Sequence, residues 1–289
     1  MTGPELGFVL LCSHLGDPDR KVLTATQLER LRALVGRSPK PEEGHMSEAY
    51  LRGLGLNGDD AQGIARLFSQ QALAVEYVKR AERLGIRCLT WKSPGYPRRL
   101  RETMGTRAPS VLWLWGNEGL LDTAAVALVG ARDAGPESLT FAGAVGEAAA
   151  RQGFTLVSGG ARGCDSAGEC ACLSGGGRVI RVLPDAMHRH ERPGERLLYL
   201  CEDSFDLPFS PHRALSRNRV IHSLGRITMV GQSGLRGGTW DGTTQNLSQG
   251  WSPVYLWECA SPGARALMNR GAHLLPSDGL KNLSALMPE

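Results

Sequence analysis

The stretch FTLVSGGARGCDSAG spans residues 154–168 and joins two kinds of pattern. Its first residues form a short and largely apolar run, which is typical of a strand buried on both faces of a sheet. Three glycines then crowd one turn, and Asp165 is suited to cap the amphipathic stretch that follows. The segment therefore predicts a strand, a glycine-rich turn and a helix, which together are the repeating unit of a parallel α/β sheet.

Similar apolar segments recur on both sides of this stretch. They are VALVG (126–130), RVIRVL (178–183), RITMVG (226–231), PVYLW (253–257) and AHLL (272–275). Amphipathic stretches of helical length lie between them, at 137–151, 165–173, 212–224, 240–249 and 262–270. Alternating strands and helices predict an α/β fold with a Rossmann-like, doubly wound and mostly parallel sheet.

The first 85 residues carry a different pattern. Apolar side chains recur at helical spacing over 22–35, 48–56 and 59–84, and a polar break with prolines occupies 37–47. We therefore predict a small all-helical domain at 1–85 and a Rossmann-like domain at 86–289. The second domain begins with a strand-rich lead-in that includes APSVLWLWG (108–116).

Composition limits the classes of function. The chain has 33 Lys and Arg against 29 Asp and Glu, and the resulting net charge of +4 does not by itself identify a polyanionic partner. It contains no run of about 20 apolar residues, no export signal and no CxxC pair among its seven cysteines. We therefore expect a cytoplasmic protein with no membrane segment, disulfide framework, metal site or other cofactor.

Four segments place glycines, arginines or polar side chains at the predicted ends of strands. Backbone amides at such turns converge on anions, and a guanidinium supplies a forked pair of donors. Because the carboxyl ends of parallel strands share one edge, we predict a single phosphate-binding rim. Its candidate residues are Gly130, Arg132, Ser158, Gly159, Gly160, Arg162, Gly163, Asp165, Arg213, Arg217, Asn218, Arg219, Gly237, Gly238 and Thr239.

Each segment also has a purely structural interpretation. The glycines can serve only as turn formers, Asp165 only as a helix cap, and the arginines only as a solvated basic face. Binding is favoured for the cluster of Arg213, Arg217 and Arg219, because guanidiniums around one helical turn repel one another unless they meet anions. At the mouth of the rim, these arginines would contribute little to the stability of the fold.

Three of these segments, in this order, resemble motifs of the bacterial DNA-processing protein A (DprA, also Smf) family. Residues 129–132 are similar to the family's VGxR turn, residues 158–165 to its SGxAxGxD turn, and residues 214–219 to its FxxRNR segment. The resemblance covers about residues 22–276. It implies a helical (SAM-like) N-terminal domain and a Rossmann-like domain, without the C-terminal winged helix found in some members.

The resemblance also implies a function. It predicts a homodimer that binds single-stranded DNA without sequence preference and assists loading of a RecA-type recombinase during natural transformation and recombination. The sequence departs from the family pattern at Ala131, Glu169, Ala214 and Gly231. The first two positions alter polar contacts, and Ala214 removes a phenylalanine near the expected DNA groove.

Two other functions are compatible with the same fold. One is a nucleotide sensor or an enzyme similar to phosphoribohydrolases, but the PGGxGTxxE signature of those enzymes is not reproduced in RGGTWDGTTQN (236–246). Asp165, Glu169 or Asp241 would then have to supply the acid or base, so binding without catalysis is favoured. The other is a protein-interaction scaffold that retains the pocket without using it.

Overall fold

A computed structural model describes residues 1–38 and 46–288 of the chain, which fall into two units. The first unit comprises Met1–Tyr96, Gly105–Leu114 and Glu202–Leu207, and the second comprises the remaining described segments. Most of the polar break predicted at 37–47 lies outside the described residues. The division into domains at residue 85 concerns independent folding and stays a prediction.

In its described residues, the first unit contains five α-helices and an antiparallel pair of strands. The helices are α1 (Gly3–Cys12), α2 (Ala25–Gly36), α3 (Glu48–Gly53), α4 (Gly58–Phe68) and α5 (Gln71–Arg83). Thr2 and Thr24 begin α1 and α2 with capping boxes, in which the threonine hydroxyl accepts from the third residue of the helix. The antiparallel pair consists of β1 (Arg87–Thr90) and β2 (Val111–Gly116), and the last two residues of β2 belong to the second unit.

The second unit holds a parallel sheet in the strand order β6-β5-β4-β3-β7-β8-β9. The strands are β3 (Ala125–Val129), β4 (Thr155–Ser158), β5 (Arg178–Val182), β6 (Leu197–Glu202), β7 (Ile227–Val230), β8 (Val254–Leu256) and β9 (His273–Leu274). The helices are α6 (Arg98–Met104), α7 (Pro136–Arg151), α8 (Cys164–Ser174), α9 (Pro211–Ser216), α10 (Asn218–Leu224), α11 (Gly238–Gln249) and α12 (Pro262–Met268). The predicted Rossmann-like fold is thus confirmed.

The sheet register brings the strand ends to one edge. Val129 of β3 pairs with Val230 of β7, and Ser158 of β4 pairs with Arg181 of β5. The order of strands along the chain reverses between β3 and β7, which is where open α/β sheets form a ligand crevice. Every residue of β3, β4 and β7 is buried, as the continuous apolar runs predict.

The structure also corrects several predicted elements. The strand β6 and the helices α1 and α6 were not predicted, and the helix predicted over 59–84 is two helices, α4 and α5. The helix predicted over 212–224 is likewise two helices, which meet at Arg217. Among the residues that the structure describes, no helix is both long and apolar enough to span a membrane.

Candidate functional site

Two cavities open beside the carboxyl ends of the central strands. The larger has a volume of about 570 Å³ and lies between the turns that follow β3 and β7. The smaller, of about 290 Å³, lies at the turns that follow β4 and β5. Arg132, Phe209 and Arg217 line both cavities, so the two adjoin one another. Together, these two cavities and their lining residues form the groove.

Most of the residues predicted for the rim meet in the groove. The lining residues among them are Gly130, Arg132, Gly159, Gly160, Arg162, Asp165, Arg217, Asn218, Gly237, Gly238 and Thr239. Ser158, Gly163, Arg213 and Arg219 do not line either cavity. Turns that are far apart in the chain therefore converge at one edge of the sheet.

Arg217 lies in the wall of the groove, which corrects its predicted position at the mouth. Only 5% of this residue is exposed, and its Nη2 donates to the Gly159 carbonyl oxygen at 3.2 Å. A Cβ at Gly159 would overlap the guanidinium, so the absence of a side chain there is what lets Arg217 enter the wall. The glycine therefore has a packing role that the motif alone does not reveal.

Asp165 compensates the buried charge of Arg217. Its Oδ2 lies 4.0 Å from Nη2 of Arg217, and 4% of the residue is exposed. Burial raises the pKa of Asp165, an effect that the guanidinium and the amides of Ala161 and Gly159 oppose. The amide of Ala161, in the same turn, donates to Oδ2 of Asp165 at 3.4 Å, so part of the backbone of this turn stabilises an internal carboxylate.

A second buried pair, between Glu169 and Arg181, supports the wall of the smaller cavity. Nε of Arg181 donates to Oε2 of Glu169 at 2.7 Å, and Glu169 is 1% exposed. Burial raises the pKa of Glu169, and the cation beside it opposes that rise. Arg181 was not predicted as a site residue, although a charged residue inside the apolar strand RVIRVL was a signal that could have identified it.

The positive charge that has no counterion in the groove is concentrated at two arginines. Arg162 pairs with Asp133, as Arg217 does with Asp165 and Arg181 with Glu169. Within residues 1–38 and 46–288, Arg132 and Arg236 have no carboxylate at ion-pair distance. Both side chains are exposed and line the larger cavity, so an anion entering it meets these two cations first. Arg236 is a further residue that the sequence prediction missed.

The N-terminus of α11 contributes backbone donors to the larger cavity. Gly237 is its N-cap, with φ at +95° and no side-chain cap, and Gly237, Gly238 and Thr239 all line the cavity. Amides in the first turn of a helix have no acceptor within the helix, and the helix dipole makes them attractive to anions. This turn and Arg132 therefore present donors to the same space.

His222 lies in the floor of the larger cavity as a neutral side chain. It is 1% exposed, and its Nδ1 lies 3.1 Å from Oγ1 of Thr228. Burial, and secondarily the nearby charge of Arg217, lowers the pKa of His222 to about 3. Because the unfolded chain binds this proton near pH 6.5 and the folded chain near pH 3, acid favours unfolding through this residue.

Changing His222 to asparagine should therefore reduce the acid sensitivity of the fold. In the wild type, stability falls as the pH drops below about 6.5, by up to about 1.4 kcal/mol per pH unit from this residue. Urea unfolding at several pH values between 6.5 and 4.5 measures this slope. The exposed His212 provides the control, since His212→Asn should leave the slope unchanged. Equal slopes for wild type and His222→Asn would contradict the prediction.

The carboxylates considered for acid–base chemistry differ in their surroundings. Asp165 and Glu169 are buried in ion pairs with arginines. Asp241 lines the larger cavity and is exposed. Of the three, Asp241 is therefore the carboxylate that a ligand in the groove can reach.

Comparison with known sequences gives one family and several relatives. The sequence model of the family described as DNA recombination-mediator protein A matches residues 87–284. Protein Smf of Escherichia coli is 29% identical over 204 residues, which are 65% of this chain and 54% of that protein. DNA processing protein DprA of Streptococcus pneumoniae is 28% identical over 184 residues, which are 59% of this chain and 64% of that protein. The chain thus matches between about half and two thirds of the length of these relatives.

Two solved structures share the fold. The X-ray structure of DNA processing protein A from Streptococcus pneumoniae has a TM-score of 0.73 and 21% identity, and the match covers 92% of this chain and 94% of that one. The structure of DNA processing protein A from Helicobacter pylori, which concerns its single-stranded DNA binding mode, has a TM-score of 0.58 and 22% identity, over 70% and 97% of the two chains. Identities this low show a common fold.

Proposed function

The chain belongs to the DNA recombination-mediator protein A family, and on that premise we propose that it binds single-stranded DNA in the groove, without sequence preference. The Helicobacter pylori protein of the same fold is described by its single-stranded DNA binding mode, which supports the proposal. The groove is lined by guanidiniums and helix-terminal amides, which are donors to phosphate oxygens. Phosphate contacts carry no base identity, and this is why the proposed binding is independent of sequence.

The observation that carries the proposal is the pairing of Arg132 with the first turn of α11 around one cavity. Arg132 has no carboxylate at ion-pair distance in the part of the chain that the structure describes, and Gly237 leaves the helix without a side-chain cap. A phosphodiester satisfies both needs at once, because its oxygens accept from a fork of N–H groups and from backbone amides together. The compensated arginines, in contrast, contribute mainly to the shape of the groove.

Because most arginines of the groove are paired with carboxylates, the affinity for DNA should depend only modestly on salt concentration. Two uncompensated arginines imply about two neutralised phosphates, and hence a slope of log K against log salt of about −1.4. Raising the salt from about 50 to 200 mM should then weaken binding by roughly sevenfold. Fluorescence anisotropy of a labelled oligothymidine at the two salt concentrations measures it. Unchanged anisotropy at high protein concentration would exclude the proposed function.

A binding role rather than a catalytic one is part of the same proposal. Asp165 and Glu169, two of the three carboxylates considered above, already serve as counterions to buried arginines. Incubation of the protein with nucleoside monophosphates, followed by chromatographic detection of the free base, tests this part. Release of a base that Asp241→Asn abolishes would overturn it.

The partner and the assembly state are proposed from the family resemblance. We propose that the chain forms a homodimer and assists a RecA-type recombinase in loading onto single-stranded DNA. Analytical ultracentrifugation tests the dimer. Recombinase ATPase activity on DNA coated with single-strand-binding protein tests the loading role, since a mediator should shorten the lag before hydrolysis begins.

A further inference from the structure

Phe209 is a large apolar side chain that the fold leaves open at the junction of the two cavities. It is 44% exposed, and it lines both the larger and the smaller cavity. A single exposed apolar residue is common on protein surfaces and needs no special explanation. The position of Phe209 in the groove and its neighbours give this residue a more specific meaning.

The first neighbour is the uncompensated cation. The guanidinium carbon of Arg132 lies 5.9 Å from the centre of the Phe209 ring, within the range of a cation–π contact. The ring therefore stands beside the group proposed to hold a phosphate. A phosphate held by Arg132 would therefore bring the adjoining nucleotides close to the ring.

The second neighbour is Ala214, which lines the larger cavity where the family pattern has a phenylalanine. The sequence predicts that this replacement removes an aromatic side chain from the groove. Phe209 supplies a ring to the same cavity from a position five residues earlier in the chain. The small Ala214 side chain leaves the space of the cavity open beside it.

We propose that Phe209 is a stacking platform for an unpaired nucleobase, an inference that rests on the proposed binding of single-stranded DNA. Every base has a π-face, so stacking adds affinity without adding sequence preference. Bases in a duplex are stacked on each other and are not free to lie on a side chain. Phe209 therefore favours single strands over duplexes, whereas the phosphate contacts at Arg132 are available to both.

The test separates base contacts from phosphate contacts by using two probes of equal length. One is a labelled oligothymidine, and the other is the same phosphodiester chain with abasic tetrahydrofuran residues. Wild type should bind the oligothymidine at least about fivefold more tightly than the abasic chain. Phe209→Ala and Phe209→Leu should bind the two probes about equally, and Phe209→Trp should retain the preference.

Controls distinguish stacking from general apolar contact and from loss of fold. Leu235→Ala is the matched control, because Leu235 is 57% exposed and lines neither cavity. It should bind both probes as wild type does, and the thermal melting of the Phe209 variants should match that of wild type. Phe209→Leu is informative because it keeps an apolar side chain without a ring.

The outcomes distinguish this inference from the proposed function. If wild type binds neither probe, the proposed function fails. If wild type binds the oligothymidine and Phe209→Ala binds it equally well, the groove binds DNA and Phe209 is not a platform. If Phe209→Leu retains the full preference for the oligothymidine, the contact is apolar and the stacking proposal is overturned.

Discussion

Arg217→Ala should lower the free energy of unfolding by about 3–5 kcal/mol, because it leaves the buried Asp165 without its counterion. The pair lies in the groove wall, where only 5% of Arg217 and 4% of Asp165 are exposed. The alanine also vacates the space against Gly159 that the guanidinium fills. Urea unfolding followed by circular dichroism measures the loss.

The loss in Arg217→Ala should depend on pH in a defined direction. Burial raises the pKa of Asp165, and removing the guanidinium removes the charge that opposes this rise. A carboxyl group whose pKa is higher in the folded than in the unfolded state destabilises the fold above its unfolded pKa and regains stability when protonated. The variant should therefore be closer to wild type in acid than at neutral pH.

Two further variants control this experiment. Arg162→Ala removes an arginine from an exposed pair with Asp133, and its effect should stay within about 0.5 kcal/mol. Arg217→Ala combined with Asp165→Asn removes both charges and should recover part of the stability. A single Arg217→Ala variant as stable as Arg162→Ala would show that the wall does not depend on the buried pair.

Arg132→Ala should weaken binding of single-stranded DNA by about 10- to 100-fold at low salt, because it removes charge-assisted hydrogen bonds to phosphate. The slope of log K against log salt should become shallower by about 0.7, which corresponds to one phosphate fewer. Arg132 is exposed and has no carboxylate partner among the described residues, so the fold should be unaffected. Anisotropy titrations of a labelled oligothymidine at two salt concentrations give both quantities.

The control for Arg132→Ala is an arginine at the other edge of the sheet. Arg151 is exposed in the last turn of α7, a helix that runs back from the strand ends, and it lines neither cavity. Arg151→Ala changes the net charge by the same amount and should leave affinity nearly unchanged. Arg132→Lys should be intermediate, because it keeps the charge and loses the planar fork. Identical titrations for Arg132→Ala and Arg151→Ala would refute a phosphate role for Arg132.

Arg132 and Arg217 show how much of the site could be predicted from the motifs. The VGxR and RNR motifs each contain an arginine, and both Arg132 and Arg217 were predicted to contact phosphate. The structure separates them, because one is exposed without a counterion and the other is buried with one. The variant Arg217→Ala therefore tests the stability of the fold rather than phosphate binding alone.

The strand β6 and the site residues Arg181 and Phe209 were missed because no local sequence motif marks them. The strand β6 comes directly after the polar segment HRHERPGER (188–196), and no glycine-rich turn follows it. Arg181 was missed as a site residue because its partner Glu169 lies on a different element, 12 residues earlier in the chain. Phe209 carries no motif, and its role depends on the cavities that surround it.

The sequence by itself determined the parallel sheet, the edge at which its glycine-rich turns meet and the family pattern. These features depend on hydrophobic period and turn residues, which act between neighbours in the chain. Only the tertiary structure decided which arginines lack a counterion and which aromatic ring lines the groove. The physical reason is that burial and ion pairing depend on residues that are distant in the chain and that folding brings together. Asp165 and Arg217, about 50 positions apart in the sequence, are an example.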